Sequence, residues 1–252
     1  MRIAVAGGTG HVGRHVVDAV RAAGHEPVVL SRSEGVDLTT GAGLDAALDG
    51  ASAVIDVANI TSINEAKATS FFETTSRALL DAGKRAGVAH HVTLSIVSME
   101  RVAYPYYTAK LAQERVVLES GGPVSVLRAT QFHEFAGQVL ERIPGPIKIV
   151  PKARIQPVAA REVGAALVSL ALGAPQGRAT DLAGPREESL PDMARKTLRA
   201  AGKSAPVLSI RLPGKAGKQM AAGMQMPDGP ATLGTLTFDE WLVGPDGPAA
   251  QR

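Results

Sequence analysis

The chain has 252 residues, 45% of them hydrophobic and 20% charged, with a formal net charge of +3 and no cysteine. That length can bury a large core as one domain, or as one domain with a small appendage, and the composition is that of an ordinary soluble globular protein. The absence of cysteine excludes disulfides, thiolate metal sites and thiol nucleophiles and fits a reducing cytoplasm; no signal-peptide segment and no apolar run of about 18 residues for a membrane span are seen.

In chain order, Arg2 to Ala6 reads as a first strand that stops at the glycine cluster Gly7-Gly-Thr-Gly-His-Val-Gly13. A helix period follows, with Val12, Val16, Ala19, Val20 and Ala23 recurring on one face. Gly7, Gly10 and Gly13, three apart between strand and helix, suit a tight bend, close approach to a pyrophosphate and helix–strand packing. The helix N-terminus then offers free N–H groups to phosphates. Thr9, His11 and Val12 belong to the same turn and join the glycines as candidate dinucleotide-binding residues. A ligand-free glycine turn is the bland alternative, and the strand–turn–helix context disfavours it.

Residues 27–31 predict the second strand. Its end usually selects the nicotinamide cofactor: a carboxylate for the ribose hydroxyl of NAD, an arginine for the 2′-phosphate of NADP. Here Ser31-Arg32 stands there, with Glu34 competing, so NADP is favoured over a merely solvated arginine. Residues 35–38 predict a very short third strand, with Asp37 a candidate cofactor-binding residue. A brief helix is expected over 44–48, and a fourth strand over 53–58 that ends at Ala58-Asn59, beside the cofactor. Ser62 and Glu65 have capping-box spacing, with Thr61 the other cap candidate. A long helix should bury Phe72, Leu79, Leu80 and Ala86 and close at Gly87, before a fifth strand over 91–96. Strands alternating with helices predict a parallel sheet covered on both faces.

All three tyrosines, Tyr104, Tyr106 and Tyr107, lie within four residues, around a proline suited to a helix's first turn. Tyr106 and Lys110 are i and i+4 on the helix that follows. A phenol beside an ammonium has a lowered pKa and can exchange a proton with a substrate oxygen. Taken alone, the pair reads more readily as an aromatic anchor and a solvated lysine. Residues 124–128 predict a sixth strand, and Phe132 and His133 follow it at the sheet's carboxyl edge as substrate-contact candidates, though a loop histidine is more often just surface. Residues 143–157 read as proline-rich loops, 161–172 as a helix, and 179–183 as a final strand. From 193 to 227 there are seven lysines or arginines and no acid, and Met220, Met224 and Met226 crowd together. This stretch reads as a basic flap over the substrate mouth or, more blandly, as a solvated face. The end after Gly244 reads as loose. No aromatics interleave with the charges, which disfavours nucleic acid, and the six histidines lack metal-ligand spacing.

These residues together resemble the short-chain dehydrogenase/reductase superfamily, specifically its atypical, NmrA-like branch. The resemblance rests on the Gly7–Gly13 motif, Ser31-Arg32, Tyr106-x-x-x-Lys110, Leu127-Arg-Ala-Thr-Gln-Phe-His133, Gln156-Pro-Val-Ala-Ala-Arg-Glu162 and Ala183-Gly-Pro185, and covers roughly residues 1–245. It implies a Rossmann-like, doubly wound α/β fold with a seven-stranded parallel sheet: a dinucleotide-binding domain over 1–184 and a smaller substrate-side subdomain over 185–252. It also implies Tyr106 as acid/base, Lys110 on the cofactor ribose, and Ser95 at most polarising a carbonyl. Ser95 and Ser98 precede Tyr106 by eleven and eight residues, closer than that superfamily's usual serine. The expected function is an NADP-dependent oxidoreductase of a small carbonyl, alcohol or enone, cytoplasmic and compatible with a homo-oligomer. The alternative is a dinucleotide-binding redox sensor without turnover.

Overall fold

The computed structural model describes residues 1–62 and 64–251, Gln251 in its backbone only, so the parts of the helical approach and of the loose end expected at Ile63 and Arg252 lie outside the described residues. The elements run β1 (Arg2–Ala6), α1 (His11–Ala22), β2 (Glu26–Leu30), α2 (Leu44–Leu48), β3 (Ala51–Asp56), α3 (Glu65–Ala86), β4 (His90–Ile96), α4 (Pro105–Leu118) and β5 (Val124–Ala129). There follow α5 (Phe135–Arg142), β6 (Lys148–Pro151), β7 (Arg154–Ile155), α6 (Ala160–Leu172), β8 (Gly177–Arg178), β9 (Asp181–Ala183) and β10 (Glu188–Ser189). The last are α7 (Leu190–Ala200), β11 (Val207–Ile210), α8 (Gly214–Ala221), β12 (Ala231–Leu233) and α9 (Phe238–Val243).

The fold is α/β, with a central seven-stranded parallel sheet in the order β12-β9-β5-β4-β3-β1-β2 and β8 paired beside β5. The chain leaves β1 one way to β2 and returns through β3 the other way, so the winding reverses between β1 and β3. Right-handed crossovers then put α1 and α3 on opposite faces, as the doubly wound reading expects. The expected third strand over 35–38 is absent. Asp37 makes a single antiparallel bridge to Ala42, because Gly35, Gly41 and Gly43 all turn into positive φ around it. The strand at 179–183 is not the final one, since β12 pairs in parallel with β9 from Ala231↔Asp181 to Leu233↔Ala183.

The chain divides into two compact units. The first holds 1–96, 104–128 and 161–180; the second holds 97–103, 129–160 and 181–252. The single boundary expected after residue 184 is thus replaced by interleaved segments.

In the first unit β1 is buried from Ile3 to Ala6, as a strand covered on both faces must be. Leu30, Leu44, Leu48, Val54 and Leu79 pack together beside it. The α1 and α6 helices approach so closely that a Cβ on Gly164 would lie 2.9 Å from the His15 backbone. The α3 helix starts without the expected Ser62–Glu65 box: Asn64 is the N-cap and accepts the Lys67 N–H at 2.9 Å, while Ser62 Oγ accepts the Asn64 N–H at 3.2 Å. Asparagine caps as well as serine, and here it sits nearer the first turn. Arg128 of β5 forks onto Glu114 of α4 at 2.8 and 2.7 Å, and Arg178 of β8 reaches the same carboxylate at 3.0 Å. This triad, with Arg128 and Glu114 buried and Arg178 half exposed, ties α4 to β5 and β8.

In the second unit Ile155, Leu190, Met193, Phe238 and Trp241 form a core under α5, α7 and α9. The segment expected as loops over 143–157 contains β6, parallel to β11, and β7, antiparallel to β10. The one capping box among the described residues opens α9, where Thr237 and Glu240 bond reciprocally. After Gly244 the described residues run to Gln251. A Cβ on Gly247 would overlap the Trp241 carbonyl oxygen, and a 3₁₀ turn covers Pro248–Gln251.

Candidate dinucleotide-binding and active site

In the first unit, the turn after β1 is built by sterics. Gly7 has φ +76° and no room: a Cβ there would lie 2.9 Å from the Ala58 Cα, just past β3. A Cβ on Gly13 would overlap the Gly7 carbonyl oxygen, so only glycine lets α1 start this close to β1. The N-cap of α1 is Gly10, which offers no side-chain acceptor, and no acid stands in the first turn. Its leading N–H groups and positive dipole end are thus left for an anion. Thr9 and Gly10 are exposed at this turn, His11 is half-buried, and Val12 is buried. The donor set and the missing Cβ atoms fit a dinucleotide pyrophosphate.

At the end of β2 the chain enters a 3₁₀ turn, Arg32–Glu34, in which Arg32 is exposed and Ser31 Oγ lies 2.8 Å from Ser33 Oγ. Asp37, a candidate cofactor ligand by sequence, is engaged in its own turn. It accepts the Thr39 N–H at 2.8 Å and the Thr39 hydroxyl at 2.6 Å, which hold its carboxyl below the usual range.

Beyond β3 and β4 lies a second cluster of the same unit. Tyr106, in the first turn of α4, donates its hydroxyl to Asn59 Oδ1 at 2.7 Å and meets the Phe72 ring edge-on at 5.8 Å. Lys110, one turn on, is 5% exposed; its Nζ donates to the Leu94 carbonyl at 2.7 Å and to Gln113 Oε1, and stands 4.8 Å from the Phe72 ring centroid. Gln113 Nε2 in turn donates to Asp56 Oδ2 and to Ser76 Oγ, both at 3.1 Å, and Asp56 Oδ1 accepts the Ala58 N–H at 3.0 Å. Burial brings the lysine down to about 8, against the pull of Asp56 and Glu114, and pushes the Asp56 carboxyl up.

The expected lowering of the phenol pKa is corrected. Burial, with Tyr107 adding to it, pushes Tyr106 above its ordinary value, and the hydrogen bond to Asn59 only partly offsets this. The lysine charge is turned into the buried network rather than toward the phenol. Ser95 is buried in β4 at 2% exposure. In the second unit, Ser98 sits at φ +55° and donates its hydroxyl to the Met226 carbonyl at 2.9 Å. His133, a substrate candidate by sequence, is 1% exposed; its Nε2 lies 2.9 Å from the Leu236 carbonyl, and its ring packs beside the stacked rings of Phe238 and Trp241. It is a core residue of that unit. Phe132 is half-buried and bridges to Val158.

The methionine stretch, read as a flap, is tethered within the second unit. Besides the Ser98 bond, the Ala103 N–H donates to Gln219 Oε1 at 3.1 Å and Arg101 pairs with Asp228 at 3.5 Å. Sequence reasoning missed Asp56 and Gln113. Their signals were a carboxylate ending an otherwise apolar strand, and a glutamine three residues after Lys110 on the same helix face. Among the described residues, no helix is long and apolar enough to cross a membrane.

The chain is similar in fold to several solved structures. One is UDP-N-acetylglucosamine 4-epimerase from Bacillus cereus, 18% identical, TM-score 0.70, covering 95% of this chain and 93% of that one. Another is the Thermus thermophilus UDP-glucose 4-epimerase in complex with NAD, 19% identical, TM-score 0.68, covering 90% and 94%. A third is Citrobacter sp. triphenylmethane reductase complexed with NADP(H), 17% identical, TM-score 0.65, covering 89% and 88%. No curated protein sequence matches the chain. Residues 3–122 match the sequence model of the NAD dependent epimerase/dehydratase family.

Proposed function

We propose that this chain is an NADP(H)-dependent oxidoreductase of a small carbonyl, alcohol or enone, within the epimerase/dehydratase-like group it resembles. The observation that carries the reading is the cluster of Tyr106, Asn59 and Lys110 in the same unit as a glycine cradle too tight at Gly7 and Gly13 for any side chain. When bound, the nicotinamide supplies or accepts the hydride. The Gly7–Gly13 turn receives the pyrophosphate on the α1 N-terminus. Arg32, exposed where β2 ends and with no acid before it, meets the 2′-phosphate. Lys110 has three N–H donors and two protein acceptors, which leaves one N–H for the ribose. Tyr106, kept protonated by burial, gives its hydroxyl proton to the substrate oxygen.

A specific observation favours a second reading, a dinucleotide-binding regulator without turnover. The Tyr106 hydroxyl already donates to Asn59, and burial rather than a neighbouring charge sets its pKa. A general acid is usually tuned the other way.

Thermal shifts with NADPH and NADH test the cofactor. A ligand at 100 times its Kd stabilises by about 2.7 kcal/mol. NADPH should raise Tm more than NADH, and Arg32→Ala should narrow that gap by a charge-assisted contact of roughly 1.5–3 kcal/mol. Equal shifts would overturn the NADP preference, and no shift the dinucleotide site. Turnover is then sought among ketones, quinones, enones and the UDP-sugars that the structural neighbours' names carry. Tyr106→Phe should retain NADPH binding and lose roughly 10²–10⁴ in turnover on any substrate found. An unchanged rate would remove the phenol from the mechanism, and no turnover with firm NADPH binding would favour the regulator.

A further inference from the structure

Asp56 is a carboxylate at the end of a buried strand, itself 1% exposed. Ionised, a carboxylate only accepts hydrogen bonds. One Asp56 oxygen takes the Ala58 N–H and the other faces Gln113 at 3.1 Å, so Gln113 must present its NH₂ there. Ser76 Oγ, also 3.1 Å from that nitrogen, takes the amide's second hydrogen. With both hydrogens committed, Gln113 Oε1 can point only at Lys110, where it accepts from Nζ. The Leu94 carbonyl accepts a second N–H, and the Phe72 ring centroid stands 4.8 Å from the ammonium. Gln113 is 1% exposed, so no solvent competes for its amide. The network carries one negative and one positive charge joined by a neutral amide, and each charge alone would be costly to bury.

We propose that Asp56 and Gln113 are positioning residues for Lys110: the carboxylate orients the amide, and the amide aims and holds the ammonium. The proposal rests on the reading that Lys110 serves the cofactor ribose. Asp56 acts on the lysine without touching cofactor, through a side chain whose orientation it dictates. The other charged group facing Lys110 is Glu114 of α4, which Arg128 and Arg178 already neutralise; β4 contributes the Leu94 carbonyl, and α3 the neutral Ser76 and Phe72.

The test follows the Lys110 side chain by NMR of the full chain labelled at lysine Cε, the resonance assigned by its loss in Lys110→Arg. NADPH affinity is measured in parallel. In the unaltered protein Lys110 should titrate at about pH 8. Asp56→Asn puts an NH₂ against the Gln113 NH₂, so the amide turns over and offers its own donors to the ammonium. The titration midpoint should fall, and NADPH binding should weaken roughly tenfold or more, the effect of one lost charge-assisted hydrogen bond. Gln113→Leu should act in the same direction. The double variant Asp56→Asn/Gln113→Glu rebuilds the chain with reversed polarity: the new amide at position 56 donates to the new carboxylate at position 113, which accepts from Lys110. The midpoint should return to or exceed its original value, and NADPH affinity should recover.

Folded single variants with unmoved midpoint and affinity would overturn the proposal, as would a double variant that restores neither. If the single variants do not fold, the double variant decides alone. Failure of the unaltered protein to bind NADPH would instead overturn the functional reading, and the lysine titration would still decide whether Asp56 and Gln113 govern Lys110.

Discussion

Two glycines three residues apart do different work in the turn after β1. Gly13 is required by packing, because a Cβ there would overlap the Gly7 carbonyl oxygen. Gly10 is less constrained: its φ is −78° and the nearest atom to an added Cβ, the Gly7 oxygen, is at 3.1 Å, a contact that a shift of a few tenths of an ångström relieves. Gly13→Ala should therefore cost about 1–3 kcal/mol in urea unfolding, the usual penalty for forcing a group into a packed core. Gly10→Ala should lower the urea midpoint less than Gly13→Ala and weaken NADPH binding, because on the proposed reading the added methyl crowds the pyrophosphate. Equal stability losses in both variants would refute this division. The turn was legible in the sequence because three-residue glycine spacing between strand and helix has few other uses. The orientation of Lys110 was not. Spacing places it on a face with Tyr106, but the buried carboxylate that draws it away comes from β3, about fifty residues earlier in the chain, and only packing reveals that.

Among the elements, those with a strong period were legible and most of those with two to four residues were not, β9 within the expected 179–183 being an exception. The β1, β3, β4 and β5 strands are runs of β-branched and small apolar residues, and both α1 and α3 end where glycine or its neighbour stops them. By contrast β6, β7, β11 and β12 sit among prolines and glycines that argue for loops, and pairing partners far along the chain make them strands. Residues 35–38 err the other way, since Gly-Val-Asp-Leu has strand character but no neighbour to pair with over its length. The stretch after α8 was open to two readings, a flap over the substrate mouth or a solvated face with methionine packing; Gly223 and Gln225 are buried and the 97–103 segment is bonded to it, which is packing. Ser98→Gly should relax the left-handed strain at that residue and cut its bond to Met226. Amide exchange over 222–228 should then quicken, while exchange in β9 stays as it was. Unchanged exchange over 222–228 would mean that the Ser98 hydroxyl is not what holds the stretch.

For the molecule as a whole, acid stability should report on the sheet interior. His91 of β4 is 5% exposed, and burial, with His90 adding to it, takes its pKa down to about 4. Unfolded, it would titrate near about 6.5. Between those values the unfolded chain binds a proton that the native one refuses, so stability rises with pH there and is lost as pH falls from about 6.5 toward 4. The full effect is roughly 3 kcal/mol. His91→Leu should flatten the fall in denaturant midpoint between about pH 7 and 4.5; an unchanged slope would place the acid sensitivity elsewhere. The raised carboxyl of Asp56 works in the opposite sense, because the native state keeps that proton more readily.

The interleaving of the two units bears on how the chain is made. The first unit is not complete until residue 180, yet residues 97–103 and 129–160 belong to the second. Synthesis from the N-terminus therefore delivers parts of the second unit before the first can close. The β6 strand ends at Pro151, while its partner β11 ends at Ile210, about 60 residues later. At about 5–20 residues per second that is roughly 3–12 s. For those seconds a strand carrying Ile149 and Val150 has emerged beside a half-built fold with nothing yet to pair with. The nascent chain is thus most open to aggregation, and to capture by chaperones, in the interval after β6 and before β11 leaves the ribosome.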